Sequence, residues 1–210
     1  MKTEPIESKD QRLGRRALLS AGVGGAAISL LPLLAGKGGA SSASGGPTTT
    51  APPRRPTDDD IGLLGSAQQV ELTARALYDA AIAAGDWTDT EITVITTIRE
   101  AHEAAAQAIA GLLGGDAPGE MSQSLYDSLI SGFKGSTSRR LEAAYELESS
   151  AVATHHEILS ALIGIDGATL IAAIQSAEAR HGTVLADLNG QTVVSTLLVE
   201  DEFAALVVNG

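Results

Sequence analysis

Glu178 and His181 stand three residues apart in a stretch, residues 167–190, that otherwise reads as an amphipathic helix. Its apolar stripe runs Leu170/Ile171, Ile174, Ala177, Val184/Leu185 and Leu188, at helical spacing. The two ionisable residues fall on that stripe and lie side by side on one face. A carboxylate and an imidazole on a face meant for burial are costly unless they are paired or bind a metal. The same anomaly recurs three times. Glu71 interrupts the stripe Leu63/Leu64, Ala67, Val70, Ala74, Leu77, Ala81, and Tyr78 follows it by seven residues. His102 interrupts Ile92, Ile95, Ile98, Ala105, Ile109, Leu112, with Arg99 one turn before it. Glu148 and His155, again seven apart, fall within Leu141, Ala144/Tyr145, Ala151/Val152, Ile158/Leu159, Leu162. Each lies near the middle of its stripe, so antiparallel packing would bring them to one level. Carboxylate and imidazole together can ligate a metal ion.

Four long helices must position these residues. The first is predicted over 58–85, with Thr57 or Asp58 as N-cap and Gly85 as the stop. The second runs over 88–113, where Thr88 and Glu91 have the form of a capping box. The third covers 138–163 and the fourth 167–190, closed by Asn189-Gly190. Short turns join the first to the second and the third to the fourth. Residues 114–137 form a longer connection, with a short helix predicted within 121–133. Four amphipathic helices with two short turns and one crossover make an all-α, up-down four-helix bundle. The tail, 191–210, is β-branched and apolar and reads as an extended segment laid along the bundle.

Composition narrows the function classes. There is no cysteine, which excludes thiolate chemistry and disulfides, and aromatic content of 3% leaves Ala, Leu, Ile and Val to build the core. A formal net charge of -12 argues against nucleic acid as a partner. No phosphate loop or nucleophile elbow is present. Residues 1–43 have the three-part layout of a signal peptide: a polar start, Arg15-Arg16, the apolar run Ala17 to Ala35, then small residues. GRRALLSAG resembles the twin-arginine export signal, which implies the twin-arginine machinery as a partner and an exported protein. Residues 44–57 read as a disordered Gly/Ser/Thr/Pro linker.

Taken together, the helix order and the intruding residues over about 58–190 resemble the ferritin-like superfamily, specifically exported bacterial ferritin-like domain proteins. There a Glu from each of two helices joins a Glu-x-x-His from each of the other two. Glu71 and Glu148 match the single glutamates, Glu178-Ala179-Arg180-His181 matches one Glu-x-x-His, and Tyr78 matches an aromatic residue often seen there. His102 takes the place of the second His, but Arg99 stands where its Glu is expected. The resemblance implies a metal site of Glu71, His102, Glu148, Glu178 and His181, holding one or two Fe or Mn ions for redox or metal-handling chemistry, in a chain that can form a homo-oligomer. His155 takes a place where Tyr is common and is expected as an outer donor or a buried core histidine. The departure at position 99 leaves a second arrangement open. Arg99 would replace the metal charge, neutralise the glutamates and leave a metal-free structural or binding bundle.

Overall fold

The computed structural model describes residues 52–191 and 203–208. The expected leader, 1–43, and most of the linker lie outside the described residues, as does the tail between 192 and 202. The described part is all helical, without strands: α1 (Asp58–Ala83), α2 (Asp89–Leu113), a short α3 (Gln123–Leu129), α4 (Thr137–Ala161) and α5 (Ile165–Leu188). Among the described residues no helix is long and apolar enough to cross a membrane.

Local chemistry sets the boundaries. Thr57 caps α1 in a reciprocal box: Thr57 N donates to Asp60 Oδ2 at 2.8 Å and Asp60 N to Thr57 Oγ1 at 3.3 Å. Thr88 and Glu91 close the same box on α2. Gly85 (φ +73°) and Gly114 (φ +59°) end these helices in the left-handed region, where glycine carries no Cβ penalty. α5 has no side-chain cap. Its free N–H groups are met from the segment just before α1: Ile165 N donates to Pro53 O and Asp166 N to Arg54 O, both at 2.9 Å. Asp60 completes this clasp. It is fully buried and accepts from Ile163 N at 2.8 Å and Gly164 N at 2.9 Å. These tertiary bonds make Asp60 the bolt between α1 and the turn before α5.

α1 packs mainly on α2, and α4 on α5; α1 also meets α4, and α2 meets α5. Two apolar clusters fill the interior. One joins Ala74, Leu77 and Tyr78 of α1 with Ile95 and Ile98 of α2, Leu141, Ala144 and Leu147 of α4, and Leu185 of α5. The other joins Leu64 and Ala67 to Ala105, Ile109, Ile158, Ile171 and Ile174. The order in which each helix visits the two clusters fixes its direction. α1 and α5 run one way, α2 and α4 the other, so the crossover spans the length of the bundle. It is guided along α1: Pro118 sits 3.4 Å from where a Cβ on Gly65 would lie, Gly119 N donates to Gln68 Oε1, Ser122 N donates to Thr73 Oγ1, and Phe133 meets Tyr78 edge-on.

Fully buried Ile95, Ile109, Ile171 and Leu185 each contribute about 1.5–3 kcal/mol. Clusters of this kind above and below hold the helices rigidly enough to tolerate a polar layer between them. Residues 203–208 lie against the α4 side with neither helix nor strand. Phe203 stacks edge-on with Tyr145, and Leu206 N donates to Thr154 Oγ1 at 2.7 Å.

Candidate metal centre

The layer between the two clusters contains Glu71, Tyr78, His102, Glu148, His155, Glu178 and His181. All are at most 2% exposed except His181, whose side chain is 18% exposed and marks the solvent side. Each of the four long helices contributes. On α1 and α4 the arrangement repeats about an approximate two-fold. Glu71 and Tyr78 on one are matched by Glu148 and His155 on the other, and each seven-residue spacing reaches across to the opposite glutamate. Tyr78 Oη donates to Glu148 Oε1 at 2.6 Å, and His155 Nε2 lies 3.5 Å from Glu71 Oε1. On α2 and α5, His102 Nδ1 bonds Glu71 Oε2 at 2.8 Å and His181 Nδ1 bonds Glu148 Oε2 at 3.1 Å.

Two further bonds cross-link the halves. His102 Nε2 reaches Glu148 Oε1 at 2.9 Å, and His155 Nδ1 reaches Glu178 Oε2 at 2.8 Å. His102 therefore stands between two ionised carboxylates, which only accept, so both ring nitrogens must carry hydrogen. Tyr78 stacks on that ring at 5.4 Å.

The electrostatics follow from this geometry. Burial alone would lower the pKa of His102, but the charges and bonds of Glu148 and Glu71 outweigh it and hold the imidazolium well above its ordinary range. Burial likewise opposes the charge on His155, and Glu178 with Glu71 overcomes it. For Glu71 and Glu148 burial favours the neutral acid, yet His102 above all keeps both carboxylates below their usual range. Glu178 differs. Burial, reinforced by the charges of Glu71 and Glu148 and only partly offset by His155, pushes it up to about 7. Burial and Glu148 raise the Tyr78 phenol far above its usual value, so it remains a donor. Without a metal the layer balances as two carboxylates against two imidazolium ions, with Glu178 taking a proton readily.

Arg99 has no part in this balance, and the expectation that it faces the glutamates is corrected here. Its Nε donates to Asp79 Oδ1 at 2.8 Å, and Nη2 lies 3.6 Å from Glu103 Oε2. Together with Arg75 these residues form a partly exposed lattice along the α1–α2 seam. Three residues before His102 is about 60° around the helix. That offset, with a long stem that can carry the guanidinium to water, takes Arg99 to the flank.

The structure brings Glu71, His102, Glu148, Glu178 and His181 together in this layer. They fall into two groups with His155 added: His102, Glu148 and His181, and Glu71, His155 and Glu178. In each group one donor atom from every residue lies within 4.8 Å of the others. The donors fit a metal ion in chemistry as well as in distance. Among the described residues, Glu71 Oε1, His155 Nε2 and Glu178 Oε1 are buried with no hydrogen-bond partner. Buried polar atoms without a hydrogen bond call for an explanation, and a bound metal ion is one of the few that apply. From the sequence His155 was expected as an outer donor or a buried core histidine; the structure places it in one of the two groups.

The sequence model of the ferritin-like domain matches residues 59–191, more than half of the chain, and the chain belongs to that family. No curated protein and no solved structure matches it.

Proposed function

We propose that this ferritin-like protein binds iron or manganese, as one or two ions, among Glu71, His102, Glu148, Glu178 and His181, and that it serves in redox or metal handling. One observation carries the reading: three glutamates and three histidines from four helices converge in a buried layer, and among the described residues three of their donor atoms make no hydrogen bond. Bound iron or manganese would supply one-electron chemistry. The chain's own residues would hold the ions, keep bulk water out and admit small reactants past His181, the partly exposed member. Glu178, poised to take or lose a proton near neutral pH, would manage proton traffic. The Arg15-Arg16 pair and its apolar run support export on the twin-arginine route, which carries proteins already folded and loaded.

Metal analysis of protein purified without chelator tests the reading. Near-stoichiometric Fe or Mn, lost in a Glu178→Ala/His181→Ala variant, is expected. No metal, together with a melting temperature unmoved by Fe(II) or Mn(II), would overturn it. That outcome would favour the second reading, a metal-free structural or binding bundle. One observation speaks for it: His102 already bridges Glu71 and Glu148 as a cation, the role the sequence had offered to Arg99.

A further inference from the structure

We infer that His155 is a direct metal ligand, and that with Glu71 and Glu178 it forms a separate site beside that of His102, Glu148 and His181. The inference rests on the reading of this layer as a metal centre. A second Glu-x-x-His would have placed a carboxylate at position 99, and Arg99 faces Asp79 instead. The donor missing from α2 is supplied from α4. His155 is fully buried, and its Nδ1 is committed to Glu178 Oε2 at 2.8 Å. Among the described residues its other nitrogen, Nε2, has no hydrogen-bond partner, and neither do Glu71 Oε1 and Glu178 Oε1. Nε2 stands 3.5 Å from Glu71 Oε1, and one donor atom from each of the three residues lies within 4.8 Å of the rest. A single divalent ion would satisfy three buried atoms that, among the described residues, make no hydrogen bond.

The two groups are chemically unequal. His102, Glu148 and His181 present two imidazoles and one carboxylate; Glu71, His155 and Glu178 present one imidazole and two carboxylates. Carboxylate-rich donors suit Mn(II) better than imidazole-rich ones do, so Mn(II) is expected to enter the His155 site first.

A rival role for His155 is to orient Glu178 through Nδ1 without touching the ion. His155→Asn separates the two. The shorter amide can still donate to Glu178 but offers no nitrogen at the Nε2 position. The metal-stripped full chain is titrated with Mn(II), with free Mn(II) followed by electron paramagnetic resonance and folding checked by circular dichroism. His155→Asn should bind one ion fewer than wild type. His181→Asn should keep the His155 site, with spin-echo modulation from a directly bound imidazole nitrogen, and adding His155→Asn should abolish that modulation. If a variant fails to fold, the first Mn(II) equivalent in wild type still decides: it must show modulation from one directly bound imidazole nitrogen, because the His102 and His181 site would show two, and none or two overturns the inference. Wild-type stoichiometry and affinity retained in folded His155→Asn overturn it too, while leaving the metal centre standing. A folded wild type that takes no Mn(II) overturns both.

Discussion

The cation that the buried glutamates face without metal can be identified by comparing two substitutions, His102→Gln and Arg99→Gln, in chelator-treated protein. His102 is 2% exposed and bonds Glu71 and Glu148 at 2.8 and 2.9 Å. Glutamine is close to histidine in volume but brings no charge, so it leaves two buried carboxylates short of a cation. Removing one partner of a buried ion pair costs about 3–5 kcal/mol. At roughly 3–5 °C per kcal/mol for a domain of this size, the melting temperature should fall by about 10–20 °C. Arg99 pairs with Asp79 in a seam where the two side chains are 27% and 48% exposed. Such a pair contributes at most about 1 kcal/mol, so Arg99→Gln should move the melting temperature by only a few degrees. Thermal unfolding followed by circular dichroism at pH 6 reads both. Adding Glu71→Gln to His102→Gln should recover part of the loss, because it removes one uncompensated charge; couplings of about 1–3 kcal/mol are usual for such neighbours. The pH dependence gives an independent check. The His102 pKa is raised on folding, so its contribution is full below its unfolded pKa and is lost as pH rises through the folded value. Glu178, raised from 4.5 to about 7, adds a loss of stability as pH rises between those two values. Glu71 and Glu148 are depressed, so their contribution is present above the unfolded value of 4.5 and lost as pH falls through the folded one. Metal-free protein should therefore be most stable in mildly acid solution, and His102→Gln should flatten the alkaline limb. An Arg99→Gln loss equal to that of His102→Gln would refute the reasoning.

Three further outcomes are expected. Mn(II) must displace protons from His102 and His155, so its affinity should rise with pH through neutrality with release of on the order of two protons, measurable by calorimetry in buffers of different ionisation enthalpy; an affinity flat from pH 6 to 8 would contradict it. Tyr78→Phe removes the 2.6 Å bond to Glu148 but leaves those of His102 and His181, and should cost about 1–2 kcal/mol in urea unfolding, with the helical circular dichroism spectrum retained. Gly164→Ala would place a Cβ 2.7 Å from Arg55 O and 2.9 Å from Asp60 Oδ2, forcing the clasp open. A loss of about 2–3 kcal/mol is expected, with hydrogen exchange accelerating at Ile163 and at the N–H groups that open α5.

The sequence by itself determined the helices and most of the polar layer. Capping residues, glycine stops and apolar spacing are local properties, so Thr57, Thr88, Gly85 and Gly114 mark their boundaries wherever the helices pack. Inward placement of Glu71, Glu148 and Glu178 follows from the same spacing, because a residue on a buried stripe has only one direction to face. What spacing within one helix does not contain is how that helix is rotated and slid against its neighbours. Arg99 and His155 both lay near a stripe, and their roles turned on that relation. Rotation of α2 against α1 put Arg99 within reach of Asp79 and water. The register of α4 against α1 and α5 put His155 between Glu71 and Glu178. The inward glutamates were legible residue by residue; which positive group each would meet was decided only when four helices fixed one another's depth and rotation.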